Sequence, residues 1–197
     1  MITLTNGAKI YQYGRPDLFL MSGVHGEERA GVMALMTTLS NDLENVWILP
    51  CLNVQGHNEL NRFCGEKNLN DEFTEETTLG FMHELMDILK NNKPKIFVDL
   101  HEDTETQNNY IWTHFDNEET VEVKVRAYCK ENDLGLFYQP EVDEYYYSTV
   151  GTSQSFAQRI GVPNCYTTET MQYAPFDKRL KANKNYIKFF LGGHNAI

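Results

Sequence analysis

The sequence predicts an α/β fold: a single three-layer domain over residues 1–197, with a mixed, mostly parallel sheet and helices on both of its faces. Short apolar runs alternate along the chain with stretches of helical periodicity, the pattern of strands covered by crossover helices. No internal repeat, low-complexity tract or Pro/Gly/Ser-rich linker interrupts it. At 197 residues the chain can bury one sizeable core, and it is too short for two ordinary domains.

The elements follow in order. Residues 17–23 read D-L-F-L-M-S-G, an apolar run closed by glycine, and predict a buried strand. Residues 28–43 place Val32, Leu35, Met36, Leu39 and Leu43 at helical spacing. Residues 46–52 (V-W-I-L-P-C-L) predict a second strand; an irregular polar stretch and a helix over 75–89 follow. Residues 96–100 (I-F-V-D-L) predict a third strand, 110–113 a fourth, 118–131 a third helix, 164–168 another strand and 178–191 a last helix. In such a sheet, reactive groups gather at the carboxyl ends of strands.

Composition narrows the function. Hydrophobic residues make up 41% and charged residues 23%, close to soluble globular averages. No apolar run approaches the roughly 20 residues that span a bilayer. The first residues, M-I-T-L-T-N-G, lack the basic, apolar and small-residue regions of a secretory signal, so the expected compartment is the cytoplasm. A net charge of -11 with no Lys/Arg-rich stretch argues against nucleic acid or an anionic membrane as partner. Cys51, Cys64, Cys129 and Cys165 lack C-x-x-C spacing and are expected to be free thiols.

His25-Gly26-Glu27-Glu28 falls where the first clear strand gives way to a helix. A His and a Glu three apart across such a turn can reach one ion, and neutral imidazole and carboxylate are suitable zinc ligands. His101 directly follows the strand over 96–100, in V-D-L-H-E-D. Two His and one Glu with a position left open is the donor set of catalytic zinc, whereas structural sites are closed by four ligands, mostly Cys. Asp99, Glu102 and Asp103 crowd around His101, and one of them is expected to accept the outer ring N–H of a ligating His.

The order H-x-x-E, a polar stretch with Asn and Arg, then a strand ending in His resembles the zinc carboxypeptidase superfamily, including its succinylglutamate desuccinylase/aspartoacylase branch. The resemblance runs from about Leu20 to Thr170. Within residues 52–73, Asn53, Gly56, Arg62, Leu69, Asn70 and Phe73 fit the family's N-P-x-G, Arg and D-L-N-R-x-F pattern. The resemblance implies that Arg62 polarises the scissile carbonyl and stabilises the oxyanion, and that Asn70 helps bind the substrate's terminal group. It implies Glu169, in N-C-Y-T-T-E-T, as the general base that takes a proton from the attacking water and passes it to the leaving nitrogen. Residues 145–157 resemble the segment that carries a mobile Tyr and lines the side-chain pocket. Spacing back from Glu169 favours Tyr147 as that Tyr, with Tyr145 and Tyr146 as alternatives, and Ser153, Gln154 and Ser155 as pocket residues.

One departure concerns specificity. The family's D-L-N-R becomes N-L-N-D here, with Asn68 first and Asp71 last. Asp71 cannot pair with a substrate carboxylate and would favour a cationic or hydrogen-bond-donating group; Lys67, Arg159 and Lys178 are candidates to replace the lost charge.

The leading expectation is a zinc metallopeptidase of carboxypeptidase-like fold acting on a small peptide. The alternative is an N-acyl amino acid deacylase with the same metal geometry. A third reading, from another class, is a catalytically silent metal-binding recognition domain, which retention of every ligand and of Glu169 disfavours. The chain is short for the family it resembles, so a second copy could complete an open cleft.

Overall fold

The computed structural model describes residues 1–113, 120–138 and 151–194. Its elements are β1 (Ile2–Thr3), β2 (Lys9–Tyr13), β3 (Leu18–Ser22), α1 (Arg29–Thr38), β4 (Val46–Leu49), α2 (Val54–Glu59), a 3₁₀ turn (Leu69–Asp71), α3 (Gly80–Asn91), β5 (Ile96–Asp103), β6 (Tyr110–Thr113), α4 (Thr120–Glu131), β7 (Gly135–Tyr138), α5 (Ser153–Arg159), β8 (Asn164–Met171) and α6 (Phe176–His194). The strands form one sheet in the order β1-β2-β4-β3-β5-β8-β6-β7. Its centre, β4-β3-β5-β8, is parallel; β2 joins β4 and β6 joins β8 antiparallel.

The apolar runs of the central strands are continuous because both faces are covered. Side chains alternate across a strand, so Phe19, Met21 and Phe97 enter one core with Phe81, Leu85 and Leu89 of α3 and Phe156 of α5. Leu18, Leu20, Val98 and Leu100 enter the other, against Leu35 of α1, Val125 of α4 and Tyr186 and Phe190 of α6. The three layers and the mixed, mostly parallel sheet agree with the fold class the sequence predicts. Among the described residues no helix is long and apolar enough to cross a membrane.

Boundaries shift in ways that matter for the site. β5 and β8 both run three residues further than expected, so His101 and Glu169 lie within strands and face each other in register. Two helices are shorter than their patterns. In α1 the Thr37 and Thr38 hydroxyls both donate to the Ala34 carbonyl at 2.9 Å, a local bond that competes with helix continuation. In front of α3, Thr77 Oγ1 donates to Glu72 Oε2 at 2.6 Å, which holds the preceding residues as turns.

Candidate metal and active site

β3, β5 and β8 are consecutive in the parallel part of the sheet, and their carboxyl ends carry the candidate residues. β3 ends at Ser22, and Gly23 turns the chain with φ +67°, a conformation glycine adopts at little cost. His25 follows in the loop and Glu28 stands at the N-cap of α1. His101 and Glu169 project from the neighbouring strands.

Gly26 is required for another reason. A Cβ there would lie 2.1 Å from the Gly56 carbonyl carbon and 2.4 Å from His57 N, so the loop carrying His25 rests directly on the backbone of α2. The Asn53 side chain caps α2 by accepting from Gly56 N at 2.8 Å and donates to the Arg62 carbonyl at 3.2 Å. The Asn53 and Gly56 positions thereby bring Arg62 against the His25 loop.

Ligand atoms of His25, Glu28 and His101 all lie within 4.8 Å of one another, and all three residues are buried. Asn68 Oδ1 accepts from Asn70 N at 3.2 Å, which fixes the orientation of that amide. His25 Nε2, 3.1 Å from the same oxygen, therefore carries a proton, and Nδ1 lies 2.6 Å from Glu28 Oε1. His101 repeats the arrangement: Nε2 lies 3.0 Å from Asp99 Oδ2 and Nδ1 3.1 Å from Glu28 Oε2, an oxygen with no aligned donor.

Lone pairs facing carboxylate oxygens at such distances repel unless a positive charge, proton or metal, lies between them. The electrostatics say the same. Burial alone would raise the Glu28 carboxyl, yet the charge and hydrogen bond of His101, aided by His25, hold it down to about 2. Burial would lower His101, but the carboxylates of Asp99 and Glu28 keep it well above the usual imidazole range. A buried cluster that holds positive charge this tightly fits a divalent cation, and nitrogen and oxygen donors with an open side suit zinc.

Arg62 Nη1 lies 3.2 Å from Glu27 Oε1 and 3.4 Å from Glu28 Oε1. Glu169 Oε2 is buried with no hydrogen-bond partner. Burial pushes its carboxyl up to about 8; the charge of His101 opposes this, and the carboxylates of Glu28, Asp103 and Asp99 add to it. A carboxyl tuned towards neutral pH is suited to proton transfer.

Of the three acids around His101, Asp99 is the one that backs the ring. Glu102 instead accepts from Ala30 N at 2.7 Å and from Arg179, tying the start of α1 to α6. Asp103 accepts the Tyr110 hydroxyl at 2.5 Å.

The metal-binding candidates open onto a cleft of about 500 Å³ whose lining includes Arg62, Asn70, Ser153, Gln154 and Glu169. The hydroxyl of Ser153 donates to Asp99 Oδ2. Gln154 is tied to the Cys165 carbonyl and the Thr167 hydroxyl. Ser155 is engaged in the Thr152 cap of α5 and is not part of the lining. Asp71 is exposed and also lies outside the lining. Tyr147 falls outside the described residues, as do Tyr145 and Tyr146. The sequence reading did not single out Asn68, Trp112 or Thr167 as site residues. Asn68 carried a signal, since Asn is favoured where a side chain accepts from a backbone N–H two residues on.

Fold and site together define a hydrolase related to the zinc carboxypeptidases. Residues 14–180 match the succinylglutamate desuccinylase/aspartoacylase catalytic domain, and the chain belongs to that family. Among solved structures, a provisionally assigned metallopeptidase from Shewanella denitrificans OS217 superposes with a TM-score of 0.74 at 21% identity, covering 93% of this chain and 76% of its own. The product-bound cell shape determinant Csd4 from Helicobacter pylori superposes with a TM-score of 0.72 at 13% identity, covering 95% of this chain and 55% of its own. For the product-bound ectoine utilization protein EutE (DoeB) from Ruegeria pomeroyi the TM-score is 0.69 at 18% identity, with 95% and 60% covered. This chain thus spans little more than half the length of the last two. At these identities the likeness is one of fold. No functionally curated protein matches the sequence.

Proposed function

We propose that the chain is a zinc-dependent hydrolase of amide bonds in small peptides or acyl amino acids, with His25, Glu28 and His101 as the metal ligands. The observation that carries this reading is the convergence of two imidazole Nδ1 atoms on both oxygens of one buried carboxylate, with both outer nitrogens already engaged. Zinc, when bound, supplies Lewis acidity that polarises a carbonyl and makes water ionisable near neutral pH.

The chain's own groups supply the rest. Arg62 places a positive charge beside Glu28, where the carbonyl oxygen becomes negative. Glu169, which lines the cleft and whose Oε2 is free of hydrogen bonds, takes the proton from the attacking water and returns it to the leaving nitrogen. Asn70 orients the substrate, and Gln154 and Ser153 shape the wall next to it.

The peptidase reading draws on the fold shared with metallopeptidases; the deacylase reading draws on the family match. Parallel assays on short peptides and on N-acetyl and N-succinyl amino acids separate them. Under both, a chelator abolishes activity, zinc restores it, and Glu169→Gln lowers kcat by about 10²–10⁴-fold with metal content unchanged. Full activity in metal-free protein would overturn the proposal.

A further inference from the structure

The start of α1 is buried, and it is not capped by its own N-cap residue. An N-cap side chain ordinarily accepts from the backbone N–H two or three residues on. Glu28 occupies that position and makes no such bond, because its carboxylate is turned to His25 and His101. The first turn contains no other acid, and Ala30 is fully buried, where an N–H without a partner is costly. Ala30 N donates instead to Glu102 Oε1 of β5 at 2.7 Å. Gly31 lets the helix come this close to the sheet: a Cβ there would lie 2.3 Å from Ser22 Oγ and 3.3 Å from Leu100 Cβ.

The second oxygen of Glu102 accepts from Arg179 of α6. That guanidinium also lies over the Phe176 ring, 5.4 Å from its centroid. One turn further along α6, the buried Asn183 amide donates to the Arg179 carbonyl at 3.0 Å and to Thr170 Oγ1 of β8 at 3.4 Å, which fixes the helix that presents Arg179. A carboxylate suits the positive end of α1, and Arg179 balances its charge next to Glu28. Arg179 is not part of the cleft lining. Without Glu102, the acceptor closest in sequence to Ala30 N would be the Glu28 carboxylate, and capping would draw it off the two imidazoles.

Resting on the reading of His25, Glu28 and His101 as metal ligands, we propose that Glu102 and Arg179 are positioning residues. Glu102 caps α1 in place of Glu28, and Arg179 holds Glu102 there, so that the Glu28 carboxylate stays free for the metal. The affinity of the site is thereby set in part from α6, a helix that carries none of the three ligands.

Two double variants separate the cap from the ion pair. Both replace the buried pair with neutral side chains of similar size, a change that proteins often tolerate. Glu102→Gln with Arg179→Met keeps an oxygen for Ala30 N, whereas Glu102→Met with Arg179→Met removes it. In a chelator competition the first should bind zinc within about threefold of the unaltered protein, and the second about 10–100-fold more weakly. Hydrogen exchange at Ala30 N–H, measured in metal-free protein, reads the cap itself: it should stay slow in the first variant and speed up in the second. Arg179→Met alone, which frees Glu102 to swing into the cleft it lines, should speed that exchange and weaken zinc binding, and Arg179→Lys should restore part of both. Equal zinc affinities in the two double variants, or equal exchange at Ala30, overturn the proposal while leaving the metal reading intact. An unaltered protein that binds no zinc overturns the metal reading and this proposal with it.

Discussion

His25 and His101 offer the same nitrogen to the same carboxylate but are held by different kinds of structure. His101 stands inside β5, hydrogen-bonded to a strand on either side along most of its length, and its outer nitrogen meets the Asp99 carboxylate, itself fixed by Ser153. His25 comes from a loop, and its outer nitrogen meets the neutral amide of Asn68. A carboxylate behind an imidazole strengthens it as a donor more than an amide does. The strand half of the site is thus the strongly backed half, and the loop half is the one whose grip on a metal can be tuned.

Substitutions break or sharpen that contrast. The largest effect is expected from His101→Ala, which removes a ligand and leaves the buried Asp99 and Glu28 uncompensated. Metal binding should fall by more than about 100-fold, and the metal-free fold should lose about 3–5 kcal/mol by chemical denaturation. Asp99→Asn, which makes the two halves alike, should weaken zinc binding by about 10–100-fold in a chelator competition. Asn68→Asp equalises them in the other direction. Aspartate keeps both hydrogen bonds that Asn68 Oδ1 accepts, so zinc should bind about tenfold more tightly; unchanged or weaker binding would show that the asymmetry has no functional content. Ser153→Ala, one step behind Asp99, should cost the least, on the order of 1 kcal/mol of stability.

Protons take the place of the metal when it is absent, and pH therefore reads the same cluster. Glu28 is held down to about 2 against an ordinary value of 4.5, so its contribution is present above 4.5 and is lost as pH falls towards 2. His101 is raised above 6.5; its contribution is complete below that value and is lost as pH rises through the folded-state pKa. Glu169, raised to about 8, removes stability as pH climbs from 4.5 to 8. Metal-free protein should accordingly melt highest in mildly acidic buffer and progressively lower towards pH 8, while zinc, which competes with these protons, should stabilise it most at the alkaline end. A melting temperature in chelator that rises from pH 6 to 8 would contradict this account.

The sequence made the site legible where chemistry and position coincide. His25, Glu28 and His101 are uncommon residues at predictable strand ends, and the sheet order places those ends side by side. It was less informative where partners decide. Glu102 and Asp103 discouraged extension of β5 because acids are poor strand formers, yet Arg179 and the Tyr110 hydroxyl engage them and the strand continues. The hairpin of β1 and β2 went unread because K-I-Y-Q-Y is short and half polar, a weak pattern at a sheet edge. Ser153 to Ser155 read as a pocket wall; as the first turn of a short helix capped by Thr152, they bring Ser153 and Gln154 to the cleft while Ser155 is taken up in the cap. Asp71, three residues beyond Asn68, read as facing the substrate; the 3₁₀ turn buries Leu69 and leaves Asp71 exposed.

Gly26 sets a limit on how far this site can be transplanted. Its α-carbon presses on the main chain of Gly56 and His57 so closely that no larger residue fits. The H-x-x-E tetrapeptide is therefore not a portable unit by itself. A host scaffold would have to supply a second backbone at the same separation, opposite the glycine, before the imidazole could be aimed.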